Sequence, residues 1–83
     1  GKVIFAGDKG DYGNAVIIEH DGKWNSVYGF LGKVTVKNGE AVNQGERIGL
    51  VGNTGLAKGN ELHFELRRDN LPVDPVKELR GSP

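Results

Sequence analysis

Glycine punctuates this chain of 83 residues so often that no apolar run lengthens before a turn residue interrupts it. There are 14 glycines, where average usage is about 7% of residues. Each one inside a helix would cost about 1 kcal/mol relative to alanine. Apolar residues also never recur at helical spacing for more than a few positions, so the chain reads as all-β: short strands between tight turns. The glycines follow no collagen-like period and form no low-complexity tract.

Strands are expected over residues 2–6, 14–20, 24–30, 33–37, 48–51 and 61–67. Gly7-Asp8-Lys9-Gly10-Asp11 ends the first, Asp21-Gly22 is a two-residue hairpin signal, and Asn38-Gly39 marks another turn. Residues 52–60 make the longest expected loop. Leu71-Pro72-Val73-Asp74-Pro75 cannot be a central strand, because two prolines remove ladder donors. Asp74 is expected to cap a helical turn over residues 75–79, and residues 80–83 form a tail.

A chain this short buries only roughly 60% of the surface its unfolded form exposes, so a lean core is expected. Cysteine is absent, which excludes disulfides and thiolate metal sites. Eleven basic residues balance eleven acidic ones, removing the electrostatic case for nucleic acid or an acidic membrane as the main partner. No apolar run approaches the 18 or so residues of a membrane span.

The sharpest chemical pattern is Glu61-Leu62-His63-Phe64-Glu65, where the strand period of two puts two carboxylates and an imidazole on one face. That donor set suits zinc, and equally suits the solvated face of an edge strand. His20 follows an apolar strand and is expected to be a hydrogen-bonded structural histidine. Gly52-Asn53-Thr54-Gly55 lacks the Gly-Lys-Ser/Thr ending of a phosphate loop and reads as a β-turn. Ser26 has no histidine–acid company in sequence to make it a nucleophile, and Trp24 and Tyr28 share a strand face fit either for core packing or for stacking on a sugar.

Many short motifs occur in one order: Ala6-Gly7, Tyr12-Gly13-Asn14, Tyr28-Gly29-Phe30-Leu31, Val36-Lys37-Asn38-Gly39-Glu40, Val51-Gly52-Asn53-Thr54-Gly55, Leu62-His63-Phe64-Glu65-Leu66-Arg67 and Val73-Asp74-Pro75. Together they resemble the lysostaphin-like (LytM) zinc endopeptidase family over residues 1–79. The resemblance implies an antiparallel, duplicated-hybrid (barrel-sandwich) β domain, of which this chain would be the carboxyl-terminal two-thirds, without the N-terminal strands. It also implies that His63 is a zinc ligand, the second histidine of a His-x-His motif, with the other ligands upstream of the chain.

Two departures from the family pattern bear on activity. The first histidine of His-x-His is Glu61 here, and the catalytic histidine of a Tyr-x-His-Leu motif is Phe30. A phenyl ring cannot move a proton, and general acid–base groups are worth typically 10²–10⁴ in rate. The expectation is a degenerate, non-catalytic member with no catalytic residues, similar to the EnvC- and NlpD-type murein hydrolase activators of cell division. Its groove, formed by Tyr28, Phe30, Glu61, His63 and Glu65, would hold a partner. The resemblance points to a peptidoglycan amidase, another envelope protein such as a sporulation-channel component, or peptidoglycan itself. No cofactor is expected; zinc would require the upstream ligands, and with them an endopeptidase of altered chemistry would be the alternative. The implied location is the bacterial cell envelope, periplasmic or otherwise extracytoplasmic.

Overall fold

The computed structural model describes residues 1–21, 23–68 and the backbone of 71–73. The strands are β1 (Lys2–Asp8), β2 (Asn14–Glu19), β3 (Trp24–Val34), β4 (Gly49–Val51), β5 (His63–Arg68) and β6 (Leu71–Val73). A single 3-10 turn over Gly10–Tyr12 links β1 to β2 and is the only helical element among the described residues. All strand pairs are antiparallel, in the order β1-β2-β3-β5-β6, with β4 added to the far part of β3. The all-β expectation therefore holds. β6, with Pro72 in it, takes the edge that proline tolerates. The expected helical turn over residues 75–79 and the tail lie outside the described residues.

One boundary differs. Separate strands over residues 24–30 and 33–37 were expected, yet β3 runs unbroken for 11 residues, through Gly29 and Gly32. They serve instead as points of close approach. A Cβ on Gly29 would come within 3.1 Å of the Tyr12 carbonyl oxygen, and one on Gly32 within 3.3 Å of Gly52 Cα. The expected strand over 33–37 is thus partly the end of β3, while residues 35–37 leave the sheet.

The core gathers Val3, Val16, Ile18, Leu31, Val36 and Val42, with Tyr28, Val34 and Ile48 packed against it. Val36 and Val42 come from the segment between β3 and β4, which folds over the sheet and is tied to β1 by Val3 N–H to Glu40 O and Gly39 N–H to Val3 O. Val3, Val16 and Val27 are fully buried, each worth about 1.5–3 kcal/mol of transfer free energy. Val27 and Ala15 are buried on the opposite face from Val16 and Ile18, so the middle of the sheet is covered on both sides. An open cavity of about 590 Å³ remains on the core side, lined by Ile18, Tyr28, Leu31, Ile48, Val51 and Leu62 among others.

Thr54 pins the long loop. Its hydroxyl donates to the Leu31 carbonyl at 2.7 Å and accepts from the Asn14 amide at 3.0 Å, while Leu56 N–H reaches Asp11 O at 2.9 Å. The turn expected at Gly52-Asn53-Thr54-Gly55 lies two residues later, where Ala57 N–H reaches Thr54 O at 3.4 Å, while Gly52 bridges to Glu61; the loop's anchor is a side chain that joins β2 to β3.

Candidate functional site

Strand alternation on β5 puts His63, Glu65 and Arg67 on the face away from the core. They converge there with Tyr12, delivered by the 3-10 turn. Tyr12 stacks on the His63 ring, centroids 5.1 Å apart and planes 29° off parallel. Gly29 makes the room: it is the β3 residue paired with His63, and a side chain on it would press on both Tyr12 and His63.

Glu65 is the hub. Its Oε2 accepts from the Tyr12 hydroxyl at 2.7 Å and lies 2.7 Å from His63 Nε2. Its Oε1 accepts from Arg67 Nε at 2.8 Å and forms an ion pair with Arg67 Nη2 at 2.8 Å. Arg67 Nη2 also donates to the Tyr12 hydroxyl at 3.0 Å. Burial alone would raise the Glu65 pKa. The hydrogen bonds from His63, Tyr12 and Arg67, with the Arg67 charge, overcome that and hold it at about 2. The same hydrogen bond to Glu65 raises the Tyr12 pKa, helped by burial, and raises that of Arg67 against the opposing pull of burial.

Phe30 reaches this face through a bulge. Between the pairs Val16↔Tyr28 and Asn14↔Leu31, β3 spends one residue more than β2. Phe30 has φ 62°, the only positive φ outside glycine among the described residues, a conformation that costs a bulky side chain roughly 1–3 kcal/mol. It also sits where β3 changes partner, from β5 at Gly29 to β4 at Leu31, and its carbonyl accepts from Gly52 N–H at 3.1 Å. Its ring lies 5.3 Å from that of His63, tilted by 50°. His63 is therefore flanked by Tyr12 and Phe30.

The expected groove set is only partly brought together. Phe30, His63 and Glu65 meet. Tyr28 points to the other face, pairing with Phe64 at 5.3 Å between centroids, packing on the core and lining the cavity there. The reason is strand alternation: Tyr28 and Gly29 face opposite sides, and Gly29 is the one across from His63. Glu61 is exposed, and its carboxylate accepts from Lys58 N–H at 3.1 Å, closing the turn before β5. Tyr12 and Arg67 were missed as site residues; extending the alternation of residues 61–65 by one step would have found Arg67.

His20 and Ser26, separate in sequence, meet at 2.8 Å between Nε2 and Oγ. Ser26 is buried and shows no acid partner for the pair among the described residues. His20 is the hydrogen-bonded structural histidine expected, and it satisfies a hydroxyl that burial would otherwise strand.

Zinc is the metal the resemblance implies. A histidine whose ring nitrogen meets a carboxylate has the donor chemistry of a metal ligand. A zinc site takes at least three protein ligands, however, and no group of three or more His, Cys, Asp or Glu side chains comes together among the described residues. Those residues do not make a zinc site by themselves.

Comparison with known proteins agrees with the fold. The model of peptidase family M23 matches residues 1–75. The chain is 41% identical over 83 residues to the DD-carboxypeptidase/endopeptidase Mpg of Neisseria meningitidis serogroup B, covering all of this chain and 19% of that protein. It is 41% identical over 81 residues to a lipoprotein NlpD/LppB homolog of Pseudomonas aeruginosa, covering 95% of this chain and 27% of the lipoprotein. Among solved structures it superposes with a TM-score of 0.86 on a chain of the SpoIIIAH and SpoIIQ complex, at 33% identity, covering 94% of this chain and 56% of that one. The chain thus spans only about a fifth to a quarter of the length of these two relatives. The chain belongs to peptidase family M23, the lysostaphin-like (LytM) family.

Proposed function

We propose that this chain is a non-catalytic M23 domain that docks a partner in peptidoglycan turnover, and that the partner is an N-acetylmuramoyl-L-alanine amidase activated during cell division. The contact between Phe30 and His63 carries the reading. Where the family pattern has a histidine able to move a proton, a phenyl ring packs against the would-be ligand. Glu61, in place of the other catalytic histidine, is engaged with the Lys58 amide. What remains is a surface with an aromatic pair, a carboxylate and a guanidinium, suited to an extended peptide segment. Activation then means binding the active conformer of the amidase more tightly than the inhibited one. Similarity to the NlpD/LppB homolog supports the regulatory reading, and similarity to a chain solved in complex with another protein supports docking. The domain would act in the cell envelope, outside the cytoplasm.

The test is release of soluble fragments from isolated cell wall by a cognate amidase, with and without the full parent protein. An increase on its addition is expected, and no increase with any cognate amidase overturns the proposal.

Similarity to Mpg favours a second reading, a zinc endopeptidase with an altered site. It requires stoichiometric zinc in the full parent protein and cell-wall cleavage that a chelator abolishes.

A further inference from the structure

Asn38 is the one asparagine in the chain followed by glycine. The pair stands exposed in a turn that Glu40 N–H closes onto Lys37 O at 3.1 Å. Asparagine before glycine is chemically fragile, because glycine has no Cβ to hinder approach to its nitrogen. That nitrogen, on losing its proton, attacks the Asn38 side-chain carbonyl carbon. A carbon–nitrogen bond forms, the side-chain amide nitrogen takes up the proton and leaves as ammonia, and a succinimide ring results. Water then opens the ring at one carbonyl or the other, giving aspartate or isoaspartate, whose backbone runs through the side chain and is longer by a methylene.

In the folded chain the attacking nitrogen is engaged. Gly39 N–H donates to Val3 O at 2.7 Å, and Val3 N–H donates to Glu40 O at 2.8 Å. Val42 N–H adds a bond to Gly1 O at 2.9 Å, and Ala41 bridges to Lys2. Val36 and Val42, on either side of the turn, are buried in the core. While residues 36–42 are seated on β1, the Gly39 nitrogen can attack only by giving up its bond to Val3.

We propose that Asn38-Gly39 is a deamidation site gated by the seating of residues 36–42 on β1: it reacts when that segment lifts, and isoaspartate, once formed, keeps the segment from seating again. The longer backbone shifts Gly39 and Glu40 along Val3, so both bonds to Val3 cannot be remade while Val36 and Val42 return to the core. Val42 also lines the open cavity beside Ile18 and Ile48, so the modification remodels that cavity's wall.

Peptide mass mapping of the full parent protein, aged in mildly alkaline buffer with and without denaturing urea, follows Asn38 as its amide turns into an acid. The rate is expected to be at least about tenfold lower in the folded protein, as for any reaction that waits on local opening. Val42→Ala, which loosens the hold of the segment on the core, is expected to raise the folded rate several-fold, while Leu56→Ala, at an exposed position of another loop, leaves it unchanged. Equal rates at Asn38 with and without urea overturn the gate, as does an unchanged rate in Val42→Ala. If Val42→Ala fails to fold, the comparison with urea alone decides. Hydrogen exchange over residues 36–42 is expected to quicken in the isoaspartate form and to stay near wild type in Asn38→Asp, which carries the same charge on an unaltered backbone. Equal exchange in those two forms overturns the claim that the product cannot reseat.

Discussion

Phe30 and His63 face each other at 5.3 Å between ring centroids because the backbone at Phe30 turns left-handed, at φ 62°. In a regular strand Phe30 would lie on the face of Tyr28, away from His63. The bulge thus presents a phenyl ring to His63 at the position where the resemblance implies a histidine.

The bulge sets the cost of substitutions at position 30. Glycine relieves a left-handed backbone but forfeits the ring packing, so Phe30→Gly is expected to change stability by less than about 1.5 kcal/mol. A β-branched residue both loses the packing and is strained at positive φ. Phe30→Val is therefore expected to be less stable than Phe30→Gly by about 1–3 kcal/mol. Urea unfolding of the two variants measures the difference; equal stability would contradict a left-handed backbone at this position.

Glu65 gives the fold an acid-sensitive element. It titrates at about 2 in the folded chain and near 4.3 when unfolded. Between those values the unfolded chain binds the extra proton, so stability rises with pH there. The contribution is complete above about pH 4.3 and is lost as pH falls through about 2. Glu65→Gln removes it, and the stability gap between wild type and variant should narrow from about pH 5 to about pH 3. A constant gap in denaturant titrations would mean that Glu65 is not held below the ordinary carboxylate range.

Thr54 should be the most sensitive position of the long loop. Thr54→Val keeps the shape and removes the hydroxyl that serves both the Leu31 carbonyl and the Asn14 amide. Stranding these partly buried groups costs about 1–3 kcal/mol. Thermal unfolding is the check, with Asn53→Ala in the same loop, at an exposed position, expected to change little.

Gly29 controls access of Tyr12 to His63. A Cβ there would lie 3.1 Å from the Tyr12 carbonyl oxygen and 3.4 Å from His63 Cβ. Gly29→Ala is expected to destabilise by about 1–3 kcal/mol through overpacking and to part the stacked rings. Ring-current shifts on the His63 protons report the second effect, and unaltered shifts would show that the neighbours yield without separating.

Much of this was legible in the residues. Turn residues marked the hairpins, and the alternation across residues 61–67 put His63 and Glu65 on one face, where they are found. Three features were not legible, each for a physical reason. The face of Phe30 depends on one backbone angle that phenylalanine rarely adopts, so nothing in the residues separated it from Tyr28 in the expected groove. The continuity of β3 across residues 31–32 was hidden because glycine in a sequence does not distinguish a turn from a close approach of two segments, as Gly32 makes to Gly52. Tyr12 meets Glu65 across 53 residues, a contact that only the β1–β2 connection folded beside β5 brings about.

The central claim, that the domain docks rather than cuts, is tested most directly by muropeptide analysis of isolated cell wall treated with the purified full parent protein alone. Intact cross-linked dimers, in equal amount with and without a chelator, are the expected result. Loss of cross-linked dimers that a chelator prevents would contradict it and make this an M23 endopeptidase working without a histidine at position 30.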